Sequence, residues 1–289
     1  IMDDRYVIVT DSSCDLSKEM IQELELAVIQ LEVVFPDGTT MANDKIEPVE
    51  VYKRLRSGEN IKTSAVNVSD AEAVMRPIFK AGKDILYLGF SSGLSSTFQN
   101  VSLALKELSE EFPDRKFAAV DTLAASMGQG LLVYKAALAR QSGMSLEENA
   151  RYIESIKLKL CHWFTVDDLF FLKRGGRVSG VTAALGTMLS IKPILHMDDE
   201  GHLISVSKTR GRKASVDELF KKMKATADNP DGQTIFISHG DCYDDALRLK
   251  EMIEKEFKVE QIAINYVGPV IGSHSGPGTL ALFFIGSKR

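Results

Sequence analysis

Along the first half of the chain, short apolar runs rich in β-branched residues alternate with stretches whose apolar positions recur every three to four residues. YVIVT (6–10), VIQLEVVF (28–35), DILYLGF (84–90) and KFAAV (116–120) have the length and composition of strands. The intervening segments 16–25, 47–57, 69–80, 97–110 and 123–141 carry the helical period. VSDAEA (68–73) supplies a start signal, with Ser69 as N-cap and Glu72 three residues on. Strands separated by helices predict a mostly parallel sheet.

The second half follows a different rhythm. A helix-rich middle (145–160, 167–174, 181–190) leads into PILHMDDEGHLISVSKT (193–209), where two extended runs flank DDEG and predict a β-hairpin. A helix over 213–227, the strand TIFIS (234–238), a helix over 242–257 and the strands EQIAINYV (260–267) and LALFFIG (280–286) complete the chain. The expected class is α/β in two domains, 1–162 with a mostly parallel sheet and 163–289 with a mixed one.

Composition narrows the function classes. At 289 residues the length prior is about two domains. A net charge of −5 argues against a broad nucleic-acid footprint, so no nucleic-acid partner is expected. Three dispersed cysteines, Cys14, Cys161 and Cys242, imply a reducing compartment, hence a cytoplasmic protein, and no disulfide framework. No run reaches the length of a membrane span, no signal peptide is visible, and Ile1 before Met2 reads as an expression remnant. Walker A, GxGxxG after the first strand and zinc-ligand spacings are absent, so neither a metal nor a cofactor is expected.

Four loops share a chemistry. DSSCDL (11–16) and GFSSGLSSTF (89–98) each follow a strand, KTSAVNVSD (62–70) precedes a helix, and GPVIGSHSGPGTL (268–280) sets His274 among glycines and prolines. Ligands of open α/β sheets bind beyond the carboxyl ends of the strands. Small hydroxyl residues with free backbone N–H groups at a helix start suit a carboxylate or phosphate. The same Ser and Thr residues also serve as caps and turn formers.

Gly89–Gly93 also fits G-x-S-x-G, the nucleophile elbow of α/β-hydrolases, with Ser91 as nucleophile, Asp241 as acid and His274 as base. Against a serine hydrolase, a further turn intervenes before the helix. A lipid-free regulatory module that binds an anion is a third reading. Of two basic clusters, Lys173–Arg177 and Lys208–Lys213, the first is the better candidate, because Gly175 and Gly176 let backbone approach a ligand near Arg177. Segments 123–141 and 181–195, rich in Ala, Leu, Met and Gly, read as core or as the lining of a narrow tunnel.

DSSCDL, KTS, SSGLSST, VDTLAAS, FLKRGGRVSG, IKPIL, RGRK and GSHSGPGTL occur in the order of one family, and the chain resembles the DegV family from end to end. The resemblance implies a two-domain α/β fold that buries a long-chain fatty acid. The expected protein is the non-catalytic lipid-binding subunit of a bacterial fatty-acid kinase, serving phospholipid metabolism, with transient contact at a membrane surface. An ATP-dependent kinase subunit would phosphorylate the bound carboxylate. Carried over residue by residue, the carboxylate ligands are Thr63, Ser95 and His274. Ser96 stands where the family usually has Gly, and Arg177 would sit near the head group or the transferred phosphate.

Overall fold

In the computed structural model, which describes residues 1–178 and 190–289, the apolar run YVIVT becomes β1 (Tyr6–Asp11), buried along almost its whole length. It lies inside a four-stranded parallel sheet of order β2-β1-β6-β7, with β2 (Ala27–Ile29), β6 (Asp84–Gly89) and β7 (Phe117–Asp121). Strands covered on both faces need continuous apolar sequence, which DILYLG provides. α1 (Lys18–Glu23), α2 (Pro48–Arg56), α3 (Val68–Lys80), α4 (Thr97–Glu111), α5 (Ser126–Gln141) and α6 (Leu146–Ile156) make up the helices of this half.

VIQLEVVF does not form one strand. It splits into β2 and β3 (Glu32–Val34), and β3 joins β4 (Thr40–Ala42) and β5 (Lys62–Ser64) in a small antiparallel sheet. The Ser12 hydroxyl takes the Leu31 N–H (2.9 Å) and turns the chain away from β1. The period of two survives, since Ile29, Leu31, Val33 and Phe35 all enter the same core cluster. Only the pairing partner changes. The start of α3 also moves: Asn67, extended at φ −91°, accepts the Asp70 N–H at 2.7 Å, so the cap lies two residues before Ser69.

The second sheet has order β10-β9-β8-β13-β11-β12. Its strands are β8 (Leu160–Thr165), β9 (Ile191–Met197), β10 (Leu203–Arg210), β11 (Thr234–His239), β12 (Gln261–Tyr266) and β13 (Leu280–Ile285). Only β11 and β12 run parallel, so the sheet is mixed. α7 (Phe170–Arg174), α8 (Arg212–Thr226), α9 (Tyr243–Glu256) and α10 (Pro269–Ser275) accompany it. The predicted hairpin is β9–β10. α6 closes the expected 145–160 helix at Ile156, a 3-10 turn covers Lys157–Lys159, and β8 follows where no strand was expected: every residue of LCHWFT is buried, a pattern without alternation that periodicity cannot assign. The 162/163 division falls within β8. Of the apolar segment 181–195, residues up to 189 lie outside the described residues, and Ile191–Leu195 are strand.

α5 is buried nearly all round and packs between the two sheets, sharing one core cluster with Phe164, Phe236 and Phe283. Gly128 makes this approach feasible, because a side chain there would overlap the His162 ring on β8.

Candidate functional site

Each residue singled out in the sequence is placed by a local device. Asp11, at the carboxyl end of β1, is fully buried. Its carboxylate accepts from Tyr87 Oη (2.8 Å), Phe90 N (2.9 Å), Ser13 N (3.2 Å) and Gln129 Nε2 (3.1 Å). Burial nonetheless pushes its carboxyl above the usual range. Asp11 therefore ties the DSSC loop, the β6–α4 loop and α5 together, and its bonds are already taken.

Ser95 accepts the Thr97 N–H at 3.0 Å and donates to Thr97 Oγ1 at 2.9 Å. Thr97, fully buried, also accepts the Val66 N–H (3.2 Å), while Asn100 Nδ2 donates to the Val66 carbonyl (2.9 Å). The first turn of α4 thus clasps one peptide of the segment after β5, and the loops bearing Thr63 and Ser95 become one unit. Neither Thr97 nor Asn100 was singled out in the sequence. Their spacing of three, one helical turn, was the signal available.

His274 sits on α10, a short helix rather than the loop its glycines and prolines suggest. Pro269 occupies the first turn, where its missing N–H costs nothing. His274 Nε2 and Thr63 Oγ1 lie 2.6 Å apart, across 211 residues of chain. Burial, followed by the charges of Arg177 and Arg174, pushes the imidazole down to about 4, so the ring is neutral at pH 7. With its proton on Nε2, the ring donates to Thr63 and leaves the threonine hydroxyl proton to point elsewhere. Arg177 Nε reaches the Leu94 carbonyl at 3.4 Å, beside Ser95. Gly175 lies against His274 Nδ1, where a side chain would overlap the ring.

Thr63, Ser95, Ser96, Arg177 and His274 all line one cavity between the two sheets. Most of its remaining described lining is apolar, including Leu31, Phe90, Leu94, Phe164, Val270 and Phe283. His162 also faces it. Burial holds that imidazole well below its usual range, and Nε2 accepts the Ala125 N–H (3.2 Å), so the ring is neutral.

The hydrolase constellation is not assembled. Ser91 is fully buried and donates to the Gly201 carbonyl (2.8 Å), at the tip of the β9–β10 hairpin. Asp241 pairs with Arg56 (2.5 Å), and His274 is engaged by Thr63. In the second basic cluster, Arg212 is tied to Asp245 (2.9 Å) and Asp167 (3.1 Å). Among the described residues one group in the β9–β10 turn, Asp198, Glu200 and His202, could bring three metal-ligating atoms within 4.8 Å, with Glu200 and His202 exposed.

A family model described as an uncharacterised protein of the DegV family matches residues 5–287. A DegV domain-containing protein of Clostridium perfringens is 44% identical over 288 residues, covering 99% of both chains. Among solved structures, a fatty-acid-binding DegV family protein from Thermus thermophilus is 33% identical, with a TM-score of 0.88 over 98% of this chain and 99% of its own. A DegV lipid-binding protein from Thermotoga maritima is 29% identical, with a TM-score of 0.85 over 99% of both.

Proposed function

The chain belongs to the DegV family, and on that premise we propose that it binds a long-chain fatty acid and presents the carboxylate to a separate ATP-dependent kinase subunit. The observation that carries the reading is the Thr63–His274 pair, 2.6 Å apart, on the wall of a largely apolar cavity. The fatty-acid-binding relatives from Thermus thermophilus and Thermotoga maritima support the ligand class. The protein is read as a carrier and not itself a catalyst.

Burial of a chain of about 16 carbons gains on the order of 12 kcal/mol before ordering costs, at about 0.8 kcal/mol per methylene. The carboxylate opposes entry, since burying it unpaired costs several kcal/mol. In this reading Thr63 donates a hydroxyl hydrogen bond to it and His274 orients Thr63, while Ser95 gives up its bond to Thr97 Oγ1 in order to donate as well. A neutral imidazole matters here: an imidazolium would neutralise the carboxylate and lower its nucleophilicity. One carboxylate oxygen then attacks the γ-phosphorus of ATP on the kinase. The bond from that phosphorus to the bridging oxygen breaks, ADP departs, and the acyl phosphate remains in the cavity. In the same reading Arg177, which lines the cavity, meets the head group or the arriving phosphoryl charge.

Native mass spectrometry of gently purified protein tests the binding half. An adduct of a few hundred daltons is expected, or saturable loading of stripped protein with hexadecanoic acid. Absence of both would remove the reading. The transfer half is tested by acyl-phosphate formation with a fatty-acid kinase and ATP.

A further inference from the structure

The floor of the cavity is one face of the six-stranded sheet. Ser238, Ala281 and Phe164 pair side by side across β11, β13 and β8, and Phe236, Phe283 and His162 form the adjacent row. A saturated tail would be served by rings and methyls throughout. The neighbours of Ser238 along β11, Ile235, Phe236 and Ile237, are all fully buried apolar residues. Yet Ser238, itself fully buried, brings a hydroxyl to the cavity wall.

That hydroxyl ends a chain of polar groups. Ser126, at the start of α5, lies across from it with the two Oγ atoms 3.1 Å apart, and Ser126 donates to Asp15 Oδ2 at 2.6 Å. With the Ser126 proton committed to Asp15, Ser238 must be the donor between the two serines. Its lone pairs then accept nothing among the described residues. Asp15 is anchored independently: it is buried at φ 53°, and its backbone carbonyl accepts from Asn265 Nδ2 at 2.8 Å. Burial also pushes its carboxyl up to about 7, so the protonated form is accessible. In that form the chain reverses, and Ser238 donates into the cavity. A group that accepts in one arrangement and donates in the other matches a hydroxyl, which does both.

We propose that the cavity favours long-chain fatty acids bearing a hydroxyl on the hydrocarbon chain, held by Ser238 at the end of the Ser126–Asp15 relay. The inference rests on the fatty-acid reading above. It adds a second polar contact, separate from the carboxylate pair. A chain hydroxyl left without a partner in a dry cavity is costly, as is a lone hydroxyl facing methylenes, so the match discriminates in both directions.

Competition binding on stripped full-length protein tests this, with octadecanoic acid against its 9-, 10- and 12-hydroxy derivatives. At least one positional isomer is expected to bind about tenfold tighter than the plain acid, equivalent to about 1.4 kcal/mol. Ser238→Ala is expected to bring that ratio to about one. Plain acid binding as well as or better than every isomer overturns the proposal and leaves the fatty-acid reading intact. A preference that persists undiminished in Ser238→Ala overturns it equally. Failure of every acid to bind overturns both. The wild-type comparison stands whether or not the variant folds.

Discussion

His274 is neutral because of its surroundings: burial and two nearby guanidinium groups all disfavour the imidazolium. Ring NMR on ligand-free protein should show no titration of His274 between pH 5 and 8, and a midpoint near 6.5 would contradict the site geometry. The unfolded chain binds this proton between its ordinary value of about 6.5 and the folded value of about 4. Stability is therefore lost as pH falls through that window, and His162 contributes with the same sign. Asp15 acts oppositely. Its folded carboxyl is raised to about 7, so its contribution is full below the unfolded value of about 4 and lost as pH rises through 7. Urea melts should show Asp15→Asn gaining on the wild type between pH 4 and pH 8; a constant difference would contradict this. Under the proposed carrier function, Thr63→Ala and His274→Ala are each expected to cut acyl-phosphate formation tenfold or more while retention of lipid changes less, because in that reading the tail supplies most of the affinity. Equal losses would argue against that division. The sequence pointed to both residues, through a hydroxyl loop and a histidine among glycines. Only the family resemblance brought them to one carboxylate, because nothing local links positions 63 and 274.

Elements decide how rigidly these side chains are held. The α4 clasp on Val66 predicts that Thr97→Val leaves a buried backbone N–H without its acceptor and costs about 1–3 kcal/mol. Chemical denaturation measures this directly, and a neutral substitution would dissolve the clasp. Gly128→Ala sets two effects against each other. Helix propensity favours alanine by up to about 1 kcal/mol, while overlap with His162 opposes it at about 1–3 kcal/mol. Net destabilisation is expected, and a rise in melting temperature would mean that α5 and β8 can separate freely. The long amphipathic helices and the β9–β10 hairpin were legible because their periods are strong. β8 was hidden by its own success at burial, since a strand covered on both faces has no alternation to detect. α10 was hidden because its glycines and prolines serve close packing: Gly272, for instance, lies against the Tyr52 hydroxyl, which itself bonds the Val267 carbonyl at 2.6 Å.

For the whole molecule, a ligand seated between two sheets stabilises both together. Hexadecanoic acid at a free concentration about a hundredfold above its dissociation constant should raise unfolding stability by about 2.7 kcal/mol. Calorimetry of stripped and loaded protein reads this as an upward shift in melting temperature, and no shift would count against the cavity as the binding place. The parallel and mixed sheets were readable from the order of strands and helices. A tunnel was expected from the apolar segments and the family resemblance, but its walls were not, because they arise from how residues of the two halves face each other. The bond between Thr63 and His274, 211 residues apart, also has a meaning in time. On a ribosome adding about 5–20 residues per second, the threonine emerges some 10–40 s before its partner histidine exists. Through that interval the nascent chain carries the hydroxyl half of the pair and cannot close it, so the carboxylate end of the site is completed only when translation has run to its last strands.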